Sequence, residues 1–329
     1  MRHEKLQKDA IESVSGKLAA GQDPLPLVVE LHPTDRCNHR CSFCFHSGVE
    51  PDASAALPLA RWLQLLDELS SLGVPILSIS GGGEPFVCRD TAEIISAAAG
   101  RGMSVRVVTN GSLLGRREIA ALLEAEEVRV SVDAIREETY AALRGVDGAM
   151  LRRVMDNLRE LAAARAQSGA RLSLGATLLL NELNCAEVNE FCREVLSAGA
   201  DVAVIKHDVY GRWAGSRAGL RRELEALYAE RVEFREELEM QLPGPCFVPY
   251  FKIAVSPAGI VHSCCLASQP GERSGFRLGD LKRQDFASVW NESRSLRLRM
   301  RDAGVSCSHC NHTDYIINRS MAQVCGRAC

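Results

Sequence analysis

Between residues 27 and 210 short apolar runs alternate six times with amphipathic stretches, and this alternation leaves the chain few folds to choose from. The runs are Leu27 to Leu31, Val74 to Ser80, Ser104 to Thr109, Val128 to Asp133, Ser173 to Leu179 and Val202 to His207. Each is too short for an ordinary helix and rich in Val, Ile and Leu, so each reads as a strand. Between the first two runs, Leu59, Trp62, Leu63, Leu66 and Leu69 recur at the three-and-four spacing that puts one apolar stripe on a helix. Strand and helix in strict turn predict an α/β fold of parallel strands with crossover helices. Ligands of such folds bind beyond the carboxyl ends of the strands, which directs attention to the residues just after each run.

The first run leads into Leu31-His32-Pro33-Thr34-Asp35-Arg36-Cys37-Asn38-His39-Arg40-Cys41-Ser42-Phe43-Cys44, a CxxxCxxC spacing. Three thiolates on one tight loop can hold a metal cluster and leave one metal position open, and soft ligands at this spacing select zinc or iron–sulfur. A zinc site needs a fourth ligand, which His39 or His46 could supply. The second run leads into Gly81-Gly82-Gly83-Glu84-Pro85, where absent side chains let backbone polar groups approach a ligand. Asn110 and Gly111 follow the third run, and Ser131 and Asp133 end the fourth; polar groups there either face a ligand or cap the next helix. The sixth run ends in Lys206-His207-Asp208-Val209-Tyr210, followed by Arg212, a dense set of donors and acceptors suited to a polar ligand. Glu30 and His32 alternate with apolar neighbours on the first strand, as groups pointing into a ligand cavity or as satisfied polar groups of the core.

A second cysteine set lies further on: Cys246, then Cys264, then Cys307-Ser308-His309-Cys310. Four thiolates make a closed site. Between them Phe251 to Val255 and Ile260 to Ser263 read as strands joined by the tight turn Ser256-Pro257-Ala258-Gly259. Leu278-Gly279-Asp280-Leu281 reads as a turn, and Phe286, Val289 and Trp290 as a short helix. Cys265 adjoins Cys264. If one thiolate binds metal its neighbour points elsewhere, and a thiol there can donate a hydrogen atom; otherwise Cys265 is a small buried hydrophobe, or itself the ligand. Cys88 is a second candidate donor.

Thirty-nine basic against 42 acidic side chains leave a net charge of −3, which gives no reason to expect a nucleic-acid or membrane partner. No run approaches the roughly 20 apolar residues that span a bilayer, and Met1-Arg2-His3-Glu4-Lys5 lacks a signal-peptide core, so the expected compartment is the cytoplasm. Thirteen cysteines in a reducing compartment point to metal binding rather than disulfides. Four units are expected: a leading helix over 1–21, with Ile11, Val14 and Leu18 on one face; the main domain over 22–215; a connecting helix over 216–245; and a cysteine-bearing unit over 246–329.

The CxxxCxxC motif, with Phe43 before its last cysteine and the Gly81–Pro85 motif about forty residues on, resembles the radical S-adenosylmethionine superfamily. The resemblance implies a partial (β/α)6 barrel in which Cys37, Cys41 and Cys44 hold a 4Fe–4S cluster. The cofactor's amine and carboxylate then occupy the open iron. Phe43 packs near its adenine; Gly81, Gly82, Gly83 and Glu84 grip its amine; Asn110, Ser131 and Asp133 contact its ribose or carboxylate. Residues 246–310 resemble the twitch domain, a truncated SPASM extension, which implies one auxiliary 4Fe–4S cluster on Cys246, Cys264, Cys307 and Cys310. Position 316 is isoleucine where a full SPASM domain has a further cysteine, although Cys325 and Cys329 leave a second auxiliary cluster open and a four-cysteine zinc staple is the other reading.

The implied chemistry is reductive cleavage of S-adenosylmethionine to a 5'-deoxyadenosyl radical, with electrons from a donor such as flavodoxin or ferredoxin, and hydrogen abstraction from an unactivated carbon. Cys265 favours epimerisation; dehydrogenation through the auxiliary cluster and sugar-acid decarboxylation are alternatives. Peptide-modifying members carry an additional leader-binding domain, whereas only 26 residues precede the first strand here. The expected substrate is therefore a small carbohydrate-like molecule of the aminoglycoside type, as in antibiotic biosynthesis, held by Lys206, His207, Asp208 and Tyr210. A peptide-modifying SPASM enzyme is a further alternative. An iron–sulfur electron carrier would explain the cysteines but not the glycine motif.

Overall fold

The computed structural model describes residues 2–44, 46, 56–207, 217–235, 244–268, 276–305, 310 and 312–325. Its strands are β1 Val28–Leu31, β2 Ile76–Ile79, β3 Ser104–Thr109, β4 Glu127–Ser131, β5 Ser173–Leu180, β6 Val202–His207, β7 Val232–Arg235, β8 Lys252–Val255, β9 Ile260–His262 and β10 Arg277–Asp280. They form one sheet in the order β10-β9-β8-β1-β2-β3-β4-β5-β6-β7. The helices are α1 Arg2–Ala19, α2 Leu59–Ser71, α3 Thr91–Gly100, α4 Arg116–Leu122, α5 Glu137–Arg144, α6 Met150–Ser168, α7 Val188–Ser197, α8 Arg217–Tyr228, α9 Phe286–Glu292, α10 Arg294–Asp302 and α11 His312–Cys325. The first six strand–helix units form the partial barrel, and neighbours from β1 through β7 all pair in parallel. None of the described helices is long and apolar enough to cross a membrane.

Burial alternates along the strands and decides which face is which. Val29 and Leu31, Leu77 and Ile79, Val105 and Val107, and Val128 and Val130 are at most 1% exposed and share one core with Trp62, Leu65, Leu66 and Leu69 of α2. Each such side chain removed from water contributes about 1.5–3 kcal/mol. The alternate residues Glu30, Ser78, Arg106 and Glu127 lie in one row across β1 to β4, each opposite the next. Parallel strands covered on both faces are ordinarily near-continuous apolar runs. Here the inner row is charged, and the barrel is lined for polar contents.

Two elements differ from the sequence expectation. The helix expected over 216–245 ends at Tyr228, and Val232–Arg235 joins the sheet as β7 beside β6. The Leu278–Leu281 segment, expected as a turn, lies mostly in β10, antiparallel to β9 with a bulge between Arg277 and Gly279. Gly279 serves close packing there, because a Cβ would stand 2.8 Å from both methyls of Val289 on α9. The expected turn over 256–259 is present: Gly259 N–H donates to Ser256 O at 2.9 Å, with Gly259 at φ +79°.

The C-terminal segment is continuous with the barrel. β8 runs parallel to β1, with Lys252 opposite Val28, and β9 returns antiparallel to β8. Arg297 of α10, fully buried, donates to Trp290 O at 2.6 Å, stacks 3.5 Å from the Trp290 ring and pairs with Asp23. That ion pair fastens the segment after α1 to the C-terminal helices. α1 and α11 pack together, and Ala10, Asp314 and Ile317 from them line the end of the barrel where Val28 and Ile76 begin their strands.

Candidate functional site

The loops after β1, β2, β3 and β4 meet around a cavity of about 380 Å³. Its walls include Cys37, Cys41, Cys44 and Phe43, the glycines 81–83 with Glu84, then Asn110, Ser131 and Cys265. Residues far apart in sequence are brought together here because the first three loops and Ser131 come from the ends of neighbouring parallel strands, and Cys265 is brought in after β9.

Each thiol of the first set has a nitrogen donor. His39 N–H donates to Cys37 Sγ and His46 N–H to Cys44 Sγ, both at 3.4 Å, and Arg144 Nη1 donates to Cys41 Sγ at 3.6 Å. Burial pushes the Cys37 and Cys41 thiols up, with Arg144 working against it at Cys41. A bound metal deprotonates such thiols outright. Among the described residues no three Cys, His, Asp or Glu side chains sit in single-ion geometry; the three sulfurs share a wall of the cavity rather than a point. Soft sulfur donors with N–H partners, spread along a wall, fit an iron–sulfur cluster.

The glycine motif packs against the cysteine loop. A Cβ on Gly83 would lie 2.0 Å from Arg36 O, and one on Gly82 2.0 Å from Asp35 Oδ1. Gly83 N–H donates to Thr34 O and Glu84 N–H to Arg36 O, both at 3.0 Å. Glu84 is 3% exposed. Its carboxylate accepts from Thr109 Oγ1 and from Asn110 N–H, both at 2.7 Å, joining the β2 loop to the end of β3. Burial raises the Glu84 carboxyl, opposed by these donors. Asn110 Nδ2 donates to Asn38 Oδ1 at 2.9 Å, and Asn38 Nδ2 to Ser112 Oγ at 2.8 Å, which links the third loop to the cysteine loop as well.

Asp133 lies outside the cavity lining, contrary to the expected direct contact with a cofactor. It sits at φ +65°, accepts from Leu179 N–H at 2.6 Å and pairs with Arg144 Nη2 at 2.6 Å. The pair is buried, and Arg144 also lies 5.9 Å from the Phe43 ring centroid. Asp133 therefore acts through Arg144, which it aims at Cys41. No local motif marks Arg144, and Asn38, although inside the cysteine loop, shows its partners only in the fold; Gly145, left-handed at φ +62° against Arg40 O, was the available signal for Arg144.

Glu30 and His32 both line the cavity. His32 Nε2 bonds Glu30 Oε1 at 2.9 Å, Ser80 Oγ donates to the same oxygen at 2.8 Å, and Lys252 Nζ lies 3.7 Å from Oε2. Burial raises the Glu30 carboxyl, but Lys252, His32 and Ser80 outweigh it and bring it down to about 2. Cys265 lines the cavity while Cys264 does not, and Cys264 Sγ accepts from Ala267 N–H at 3.3 Å. The neighbours thus point apart. Cys265 Sγ donates to Asp314 Oδ2 at 3.9 Å, and that oxygen lies 3.0 Å from Lys252 Nζ. Burial pushes the Cys265 thiol well up, with Lys252 opposing.

Cys246 and Cys310 are half-buried, and Cys88 is half-buried outside the lining. Lys206 lines a second cavity described below. Cys307, Asp208, Tyr210 and Cys329 lie outside the described residues, as does the side chain of His207.

With this geometry in view, the comparisons are specific. Residues 31–194 match the radical SAM superfamily, and residues 246–311 match SPASM, an iron–sulfur cluster-binding domain. The chain is a radical SAM enzyme with a C-terminal SPASM domain. It binds S-adenosylmethionine and a 4Fe–4S cluster in the first domain and auxiliary iron–sulfur in the second. Among relatives, it is 26% identical over 82% of its length to the PqqA peptide cyclase of Granulibacter bethesdensis, covering 74% of that protein. It is 27% identical over 89% of its length to the sporulation killing factor maturation protein SkfB of Bacillus subtilis, covering 71% of it. Among solved structures, Streptococcus suis SuiB bound to the precursor peptide SuiA has a TM-score of 0.67 at 17% identity, over 85% of this chain and 67% of that one, a likeness of fold.

Proposed function

We propose that this protein is a peptide-modifying radical enzyme that abstracts a hydrogen atom from a residue of its substrate and returns one from Cys265. The peptide class rests on relatives aligned over most of this chain whose names denote peptide cyclisation and killing-factor maturation. The carbohydrate-like substrate expected from the short N-terminal segment finds no counterpart in those two relatives and gives way to the peptide. The single observation carrying the outcome is Cys265, a thiol in the wall of the cavity that holds the first cysteine set.

In this reading Cys37, Cys41 and Cys44 hold the 4Fe–4S cluster, Arg144 fixes Cys41, and the glycine motif with Glu84 and Asn110 holds the loops in register around S-adenosylmethionine, with Phe43 and Ser131 in the same wall. Cys246, Cys264, Cys307 and Cys310 hold one auxiliary cluster. When bound, cluster and cofactor together supply the radical that removes hydrogen from carbon. Cys265 gives one hydrogen atom to the substrate carbon and is left as a thiyl. One electron from an external one-electron reductant and one proton through Asp314 restore the S–H. A donor this close to the reacting carbon gains its rate from proximity.

The test is anaerobic turnover of candidate peptides in deuterated water. A gain of one mass unit at an inverted residue is expected, and Cys265→Ala should still cleave S-adenosylmethionine while losing deuterium delivery. Full product from Cys265→Ala excludes it as donor. A loss of two mass units assigns oxidation or cross-linking instead, and deuterium gain by aminoglycosides but by no peptide restores the carbohydrate reading.

A further inference from the structure

Below the site lies a second cavity of about 400 Å³, which shares Glu30, Ser80, Val108 and Cys265 with the first. α1 and α11 close its far end. Charge is unevenly distributed around it. On one side Lys252 is matched by Asp314 at 3.0 Å and Glu30 at 3.7 Å. On the other, three arginines share two carboxylates. Arg129 pairs with Glu127 and, at 3.9 Å, with Glu233; Arg106 reaches Glu127 at 3.8 Å; Arg235 reaches Glu233 at 2.7 Å. Lys206, next to Arg235 across the β6–β7 pair, also lines this cavity, and its ammonium has neither a hydrogen bond nor an ion pair among the described residues, only the longer-range attraction of Asp133 and Glu233. Among the described residues four cations thus face two carboxylates on the β3–β7 wall.

An unmatched ammonium inside a barrel is costly unless an anion completes it. We propose that this wall is a carboxylate-recognition pocket in which Lys206 and Arg235 hold an acidic group of the substrate. The inference rests on the peptide reading for the source of that group: an acidic side chain or a C-terminal carboxylate. Because the two cavities meet at Cys265, a peptide anchored at Lys206 would run past the thiol toward the upper cavity. The polar run that ends β6 marks Lys206, whereas Arg235 belongs to no motif; the pairing of β6 with β7 sets them side by side.

The test is calorimetric titration of the full chain, reconstituted anaerobically, with three probes: N-acetylglutamate α-amide for a side-chain carboxylate, N-acetylalanylalanine for a terminal one, and N-acetylglutamine α-amide as the neutral control. One of the two carboxylates should bind, and which one identifies the source. The glutamine derivative should bind at least about tenfold more weakly, Lys206→Met should lose a similar factor, and Lys206→Arg should keep most of the affinity. Equal binding of the neutral probe, no binding of any probe, or undiminished binding by Lys206→Met overturns the proposal. So does equal loss in the Met and Arg variants when both melt no lower than the parent. No turnover is read, so carboxylate binding without any peptide turnover would sink the peptide reading and leave the pocket standing.

Discussion

The first and second cysteine sets are built in opposite ways. Cys37, Cys41 and Cys44 fall within eight residues, and two of their sulfurs take backbone N–H donors from two residues further on. Cys246, Cys264 and Cys310 come from segments spread over more than sixty residues, with the β8–β9–β10 meander and its helices between them. A local site asks little of the rest of the chain, whereas a dispersed one fails whenever the packing that assembles it fails. The second set should therefore be the more sensitive to remote substitutions.

The largest effect separates the two sets outright. Cys41→Ala should abolish 5'-deoxyadenosine formation and remove about four irons per chain while the auxiliary irons stay. Loss of all iron would mean that the sites are not independent. Next comes the Asp23–Arg297 tie. Arg297→Ala leaves the half-buried Asp23 with only Arg294 at 3.9 Å and Trp290 O without its donor, and should cost about 2–3 kcal/mol in urea unfolding. Auxiliary iron should be lost before the first cluster under mild denaturant, and simultaneous loss would erase the contrast.

A smaller effect probes the local set. Gly83→Ala places a methyl against Arg36 O, and only movement of the cysteine loop relieves it. A cost of about 1–3 kcal/mol is expected, with iron content falling at the first site alone. Unchanged cofactor cleavage would show that the loop tolerates the shift.

The smallest effect is pH-linked and tests the charged barrel. Burial, with Arg235 and Arg129 nearby, holds the Lys206 amine at about 8 against 10.5 for a free lysine. Between those values the unfolded chain binds the extra proton, so stability rises with pH; below 8 both states are protonated and the full cost persists. Lys206→Met should therefore be about 2 kcal/mol more stable than the parent at pH 7, after allowing for water in the cavity, with the difference shrinking toward pH 10.5. Thermal melts across this range decide it, and a flat difference would place the amine in solvent.

Much of the barrel was legible because every second residue of β1 to β4 is buried against the helices, which leaves a short run rich in Val, Ile and Leu. β3 and β6 end where their apolar runs end. β7 was hidden by its composition, since Val232-Glu233-Phe234-Arg235 differs little from the charged helix before it. β10 was hidden by Gly279, which reads as a turn residue but here admits α9. At the site, the cysteine loop and the glycine motif were legible because each is a local sequence. Arg144, Asp314 and Lys252 were not, because each acts singly from an element with no motif of its own.

By itself, the sequence determined the order of the first six strands and their helices and which two loops carry the chemistry, since apolar periodicity and thiolate spacing are local. Only the tertiary structure decided that Cys265 turns into the cavity while Cys264 turns away, that Asp133 works through Arg144, and that Arg106, Glu127, Arg129 and Lys206 line an interior. A charged residue alternating with valine has the same pattern whether that face meets water or the inside of a barrel. The difference is made when the sheet curves and α1 and α11 close its end, a matter of contacts between distant segments.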